Sequence, residues 1–237
     1  MMHDNEMREP LFDFLEVYFK KIRIIEEKVI MKSRADVLGV IDGAIVGFEI
    51  KSDSDTYQRL ETQIPDYDKY CDYSYLVIGK SHLKHAEEHI PPHWGMICIH
   101  DAENIEMCRE AGLSPKVKLV NQLSFLWRNE LAELLAMNHL PKCTGKNKKE
   151  ISKLLIEKVD NDLLREQFTE CLFERDYNIF EEKNQQLKEK GVETSYRKTK
   201  TGVKAKRRVK RPPKPVGVKH VISGSARKRR VKKRGDI

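Results

Sequence analysis

The sequence has few cysteines and no long apolar run. Its five cysteines are odd in number and widely spaced, and no Cys-x-x-Cys pair occurs in the 237 residues. This pattern excludes a disulfide framework and a zinc ribbon, and it favours free thiols in a reducing compartment. No apolar run approaches the roughly 18 residues of a membrane-spanning helix, and the polar, acidic start MMHDNE is not typical of a secretory signal. We therefore expect a cytoplasmic protein without membrane contact; association with a nucleoid, or a nuclear location in a eukaryotic host, stays open.

Acidic residues are nearly missing from the C-terminal part of the chain. Residues 195–237 contain 18 Lys/Arg and a single acid, Asp236, so they carry +17, whereas residues 1–194 carry −9. Blocks of like charge typically stay disordered and act as interaction arms. We predict that 183–237 form a disordered basic tail that neutralises nucleic-acid phosphates. Aromatic residues are nearly absent after Tyr196, which argues against base stacking, and a solubilising or protein-binding tail is the alternative.

Hydrophobic periodicity predicts alternating helices and strands in the first 120 residues. A helix is expected over 9–20, with Pro10 in its first turn, and strands over 23–30, 34–41 and 44–51. A helix over 53–70, a strand over 74–79, a helix that begins at Ser81 and a strand over 95–99 complete the pattern. This order predicts an α/β fold in which helices flank one mixed sheet.

Strand patterns are absent from residues 121–182. Apolar residues recur there at helical spacing, with an interruption near 141–147. We expect a helical extension packed on the sheet domain. The chain thus divides into a core over 1–120, a helical extension over 121–182 and the basic tail over 183–237.

The dipeptide Asp42-Gly43 lies between two predicted strands and is a strong hairpin signal. A two-residue turn there places Asp36 directly opposite Glu49. Because side chains alternate along a strand, Lys51 then projects from the same face as both carboxylates. The opposite face of the hairpin carries only apolar residues from Ala35 to Ile50 and is expected to be core.

Two carboxylates opposed on paired strands repel each other, and a divalent cation between them removes that penalty. Mg²⁺ prefers one or two carboxylates together with waters and phosphate oxygens. Such an ion could promote phosphodiester hydrolysis, with Lys51 stabilising charge or orienting the attacking water. The alternative is a solvated hairpin end at which Arg34, Asp36, Glu49 and Lys51 pair as surface charges.

Asp36 followed by Glu49-Ile50-Lys51 resembles the PD-(D/E)XK nuclease superfamily. Gln63 and Tyr67 are similar to the Gln-x-x-x-Tyr motif of RecB-type nucleases, and the sequence context is similar to small MmcB-like and prophage-borne members. The resemblance covers roughly residues 6–180 and excludes the tail. It departs from the pattern at Ala35, which replaces a proline, and at Pro65, which is expected to kink or restart its helix.

The resemblance implies a restriction-endonuclease-like fold over 1–120 and a deoxyribonuclease that depends on Mg²⁺ or Mn²⁺, in DNA repair, restriction or phage-related DNA processing. It implies that Asp36 and Glu49 bind the metal, that Lys51 is the catalytic lysine, and that Gln63 and Tyr67 support the site. Family members also use a glutamate of the first helix or strand. Here the candidates are Glu9, Glu16, Glu26 and Glu27, of which we favour Glu27.

DNA is therefore the expected partner, bound through the site and the tail, and the oligomeric state stays open. An alternative function is a nuclease-like fold that binds DNA without cleaving it. A protein directed to RNA or the ribosome is a weaker alternative, since it depends on the basic tail alone.

Overall fold

The computed structural model describes residues 2–176, together with the backbone of residues 196–198 and 204–206. The chain divides into two compact units, Met1–Asp176 and Tyr177–Ile237. The first unit contains every sequence-predicted site residue.

A mixed six-stranded sheet forms the centre of the first unit. Its strands are β1 (Arg23–Ile30), β2 (Ser33–Ile41), β3 (Ala44–Lys51), β4 (Tyr73–Gly79), β5 (Gly95–Ile99) and β6 (Ile105–Arg109). The spatial order follows the chain from β1 to β6. Strands β1 to β3 are antiparallel to their neighbours, β3 to β5 are parallel, and β6 returns antiparallel to β5. The predicted mixed α/β sheet is confirmed.

Strand β6 is the one strand of this sheet that the sequence analysis did not predict. It is a five-residue edge strand, and all its residues remain partly or fully exposed. A turn stabilised by the Glu103 N–H, which donates to Asp101 Oδ1 at 3.0 Å, leads into it. Its alternation of Ile105 and Met107 with polar neighbours is too short to separate from loop sequence.

Helices and short 3₁₀ turns connect and cover the strands. The helices are α1 (Asp4–Phe19), α2 (Leu60–Tyr70), α3 (Leu119–Gln122), α4 (Arg128–Met137), α5 (Lys148–Lys158) and α6 (Asn161–Phe173), and the 3₁₀ turns are Tyr57–Arg59, Lys80–His82, Ala86–His89 and Leu123–Phe125. Helix α1 begins five residues earlier than predicted, because Glu6 caps it by accepting the His3 N–H at 2.7 Å.

The prediction of a helix that begins at Ser81 is wrong: two 3₁₀ turns occupy that region. The Ser81 hydroxyl and N–H do not cap a helix there. Both donate to Asp53 Oδ1, at 2.7 and 3.1 Å. Ser81 thus makes a long-range hydrogen bond to Asp53 and does not act as the helix cap that the local pattern predicted.

Both faces of the sheet are covered. Helix α1 packs Met7, Leu11 and Leu15 against an apolar cluster that includes Phe48 and Val77. A larger cluster on the other face joins residues of β2, β3 and β4 to helices α2 to α6. The predicted apolar face of the hairpin is core from Val37 to Ile50, but Ala35 is wrongly assigned to it, because Ala35 lies in the cluster on the opposite face. The face that carries Glu49 is core as well.

The helical extension packs on the sheet within this same unit. Arg165 of α6 donates to Asp72 Oδ1 at 2.7 Å, and the Gly43 N–H donates to Thr169 Oγ1 at 3.1 Å. A buried ion pair of 2.5 Å between Arg175 and Glu130 joins the end of α6 to α4. Among the described residues, no helix combines the length and apolarity needed to cross a bilayer.

In the second unit, β7 (Tyr196–Lys198) and β8 (Lys204–Lys206) form an antiparallel pair. Tyr196 lies opposite Lys206, and Lys198 lies opposite Lys204. The remainder of the predicted basic tail lies outside the described residues.

Candidate active site

The β2–β3 hairpin has the predicted register. Ile41 pairs with Ala44 and Val37 with Phe48, and Gly43 takes the positive φ of 71° that the turn requires. The paired register ends at Val37 and Phe48, and Asp36 and Glu49 lie one residue beyond it on their strands. The Asp36 carboxylate bridges the two strands here, because its Oδ2 accepts the Ile50 N–H at 2.9 Å.

Glu49 and Lys51 are buried together. Their side chains form an ion pair of 2.6 Å between Lys51 Nζ and Glu49 Oε1. Glu49 is only 1% exposed and Lys51 only 5%. The alternative of a solvated hairpin end is therefore wrong for these two residues, since surface ion pairs keep their charges in water.

Tyr67 connects α2 to both acidic residues. Its hydroxyl donates to Glu49 Oε2 at 2.8 Å and accepts the Asp36 N–H at 3.3 Å. Burial, followed by the nearby charges of Glu49 and Asp36, raises the Tyr67 pKa well above its ordinary value. Tyr67 therefore stays protonated and holds one oxygen of Glu49 in place.

Gln63 lies one helical turn before Tyr67, and α2 runs from Leu60 to Tyr70 without interruption. The prediction that Pro65 restarts the helix is wrong, although its ring removes one backbone hydrogen bond. Gln63 Oε1 is buried and has no hydrogen-bond partner in the described structure. An orphaned amide oxygen of this kind is a place where water or a ligand would bind.

The two carboxylates of Asp36 and Glu49 are electrostatically coupled. Burial, and then the negative charge of Glu49, raise the pKa of Asp36 to about 7; the Ile50 N–H and the Lys51 charge act in the opposite direction. Asp36 therefore takes up a proton near neutral pH when no cation is present. A carboxyl group whose pKa is raised by burial and by a neighbouring carboxylate is typical of functional sites.

Glu27, the favoured third ligand, lies opposite Asp36 in the register of β1 and β2. It falls between the paired residues Glu26–Val37 and Lys28–Ala35, but it is itself unpaired and has a φ of 55°. Its carboxylate accepts from Arg8 at 3.0 Å and from Arg34 at 2.6 Å. The structure thus brings the backbone of Glu27 beside Asp36, while two arginines bind its side chain.

Sequence reasoning missed Asp4, the first residue of α1. Its charge contributes to the raised pKa of Asp36, and its carboxylate accepts from Arg8 Nε at 3.0 Å. The predicted helix start at residue 9 hid Asp4. An acid in the first turn of a helix is a common preference that could have indicated the earlier start.

The segment that follows β3 was also missed. Ser52 donates to Asp55 Oδ2 through its N–H at 2.9 Å and its hydroxyl at 2.6 Å. Burial opposes ionisation of Asp55, yet these bonds and the charges of Lys51 and His82 lower its pKa. His82 Nε2 lies 2.9 Å from the Ser52 carbonyl oxygen. This network fixes the chain directly beyond Lys51.

The residues present fit a small, hard cation in one respect and fall short in another. Asp36 and Glu49 supply the one or two carboxylates that Mg²⁺ usually takes from a protein. Within residues 2–176, however, no three His, Cys, Asp or Glu side chains form a group that could hold a metal ion. Waters and substrate phosphates would have to complete the coordination.

The fold and the site together define a three-layer α/β protein in which a half-buried Asp36 lies beside the buried Glu49–Lys51 pair at the end of a hairpin. A family model described as Bacteriophage P4 protein cII matches residues 2–201. The chain therefore belongs to the bacteriophage P4 protein cII family. No curated protein and no solved structure matches the chain.

Proposed function

We propose that this protein is a metal-dependent DNA nuclease of PD-(D/E)XK type with a restriction-endonuclease-like fold, acting in DNA repair, restriction or phage-related DNA processing. The observation that carries the proposal is the buried Glu49–Lys51 ion pair with the half-buried Asp36 beside it, where Asp36 accepts the Ile50 N–H across the hairpin. Neither an ion pair of this burial nor a carboxylate with a raised pKa is needed to stabilise a hairpin.

Asp36 and Glu49 would hold Mg²⁺ or Mn²⁺. When bound, such an ion polarises a phosphate oxygen and lowers the pKa of a water molecule. Lys51 uses one N–H for Glu49, so two further donors remain for a phosphate oxygen or an attacking water. Tyr67 keeps Glu49 oriented, and Gln63, one helical turn earlier in α2, has a buried amide oxygen without a partner.

DNA phosphates are the substrate groups that suit this site. The carboxylates of Asp36 and Glu49 would repel a polyanion less when a cation is bound between them. The basic residues of 195–237 would raise the local DNA concentration without reading sequence.

Nicking of supercoiled plasmid in Mn²⁺ tests the proposal. The wild-type protein should nick the plasmid, whereas Asp36→Asn and Lys51→Met should be inactive. Matched controls are Asp13→Asn and Lys153→Met, which change exposed residues of α1 and α5 and should keep full activity. Cleavage that persists in both site variants would refute the nuclease assignment.

A DNA-binding module without catalysis is the second candidate, and the arginines on Glu27 favour it. They occupy the acidic side chain that would have completed the metal site. Calorimetric titration with Mn²⁺ separates the two functions. An enzyme should bind the ion in a manner that Asp36→Asn abolishes, and a pure binder should bind DNA but no Mn²⁺.

A further inference from the structure

Three cationic side chains converge on the 3₁₀ turn that precedes α4. Lys28 Nζ of β1 lies 5.6 Å from the centre of the Phe125 ring. Lys148 Nζ, at the start of α5, donates to the Ser124 carbonyl at 2.9 Å, and Arg175 Nη2 donates to the Phe125 carbonyl at 3.0 Å. Residues 120 positions apart in the chain therefore place their positive charges around one turn.

The acid nearest to this cluster is already neutralised. Glu130 makes two bonds with Arg175, of 2.6 and 2.5 Å. Among residues 2–176, neither Lys28 nor Lys148 has an acid within ion-pair distance. Neither ammonium group has an ion-pair partner of its own, and the acid whose charge acts on both, Glu130, is already bonded to Arg175.

This arrangement is unfavourable for the protein by itself. Burial and the charges of Arg175 and Lys148 lower the pKa of Lys28, and burial and the charge of Arg175 lower the pKa of Lys148. Titratable groups whose pKa is shifted by burial and by a specific neighbouring charge frequently cluster at functional sites. Dispersed surface lysines would not repel one another in this way.

The positive surface continues into the connection between α4 and α5. Residues 141–149 contain four lysines and no acid. Arg128 fixes this connection, because its Nη1 donates to the Lys146 carbonyl and its Nη2 to the Cys143 carbonyl. Lys142, Lys146 and Lys149 are exposed there. Residues 1–194 carry a net charge of −9, whereas this local surface is positive.

The cluster begins on β1, the strand that pairs with the strand of Asp36. Lys28 pairs in the sheet with Ala35, the residue directly before Asp36. A nucleic-acid strand whose phosphate reaches Asp36 and Glu49 would have to continue across a neighbouring surface, and this surface carries the complementary charge.

We infer that Lys28 and Lys148 form a binding site for the phosphate backbone of duplex DNA, separate from the basic tail. The inference extends the proposed function, since it takes DNA as the substrate and adds a docking surface on the folded unit. Neutralising phosphates with lysines releases counterions, so each contact makes binding more steeply dependent on salt.

The test measures binding of the full-length chain to a labelled DNA duplex by fluorescence anisotropy, in EDTA and over a salt series. The variants are Lys28→Met, Lys148→Met and the pair; methionine keeps an unbranched stem and removes the charge. Lys153→Met is the matched control, an exposed lysine of α5. Relative to the wild-type protein, the slope of log K against log salt should become less steep by about 0.9 for each site variant and by about 1.8 for the double variant. At about 0.1 M salt the pair should lose roughly 60-fold in affinity.

Thermal melting separates a docking role from a structural one. Lys28→Met should melt at the same or a higher temperature, because it removes a desolvated charge that faces other cations. If Lys28→Met fails to fold, Lys148→Met alone decides, through its slope change of about 0.9. A salt slope in the double variant equal to that of Lys153→Met would overturn the inference. A loss of affinity that the double variant shows for a duplex RNA of the same sequence, but not for the DNA duplex, would also overturn it.

Because binding is measured without a divalent ion, the result does not depend on cleavage. If the wild-type protein never nicks DNA but the double variant shows the flattened salt slope, the nuclease proposal is refuted and the docking surface is supported. A protein that nicks DNA but shows no slope change in the double variant would do the reverse.

Discussion

Asp36→Asn should make the protein more stable at alkaline pH while it abolishes cleavage. In the folded state the pKa of Asp36 is about 7, compared with 3.8 for an ordinary aspartate. The folded state therefore binds this proton more tightly than the unfolded state does. As the pH rises from about 4 to about 7, the wild-type protein loses stability, and above pH 7 the loss is complete.

The magnitude follows from the size of this shift. A shift of about three pH units corresponds to about 4 kcal/mol at about 1.4 kcal/mol per unit. Asparagine has no charge to repel Glu49, and its side-chain oxygen can still accept the Ile50 N–H. We therefore expect Asp36→Asn to raise the free energy of unfolding by up to about 4 kcal/mol at pH 8 and to change it little at pH 4.

Urea denaturation in EDTA at pH values of about 4, 6 and 8 measures the difference in free energy of unfolding between the wild-type protein and Asp36→Asn. Asp13→Asn, an exposed substitution on α1, is the control and should track the wild-type protein at each pH. Added Mn²⁺ should stabilise the wild-type protein and not Asp36→Asn, because only a native state with its binding site gains free energy from the ion. Equal stability of wild type and Asp36→Asn at pH 8 would refute the electrostatic coupling of Asp36 and Glu49.

Two further substitutions examine the groups that surround the site. Tyr67→Phe leaves Glu49 Oε2 without its donor and should cost about 1–3 kcal/mol in urea denaturation, together with a loss of nicking activity; full activity would show that Tyr67 does not orient Glu49. Arg175→Met leaves Glu130 buried and unpaired, and should cost about 3–5 kcal/mol. If Arg175→Met melts like Lys153→Met, this ion pair does not tie α6 to α4.

The hairpin and the spacing of the motif were accessible from the sequence because both are local. A two-residue turn and a side-chain period of two determine which residues of β2 and β3 face each other. The register up to Val37 and Phe48, which brings Asp36 beside β3, could therefore be predicted without any knowledge of distant packing. The spacing of Gln63 and Tyr67 in α2 is local in the same sense. The short edge strand β6 and the early start of α1 escaped prediction, since their signals are weak at this length.

Tertiary structure alone decided the environment of those residues. Glu49 is buried beneath α2, whose Tyr67 donates to it, and no local pattern records which helix covers a sheet. The arginines on Glu27 and the convergence of Lys28 with Lys148 likewise join segments far apart in the chain. The sequence by itself determined which groups face each other across a turn; the packed fold determined which of them lose water, and it is desolvation that changes the pKa of a carboxylate or a lysine.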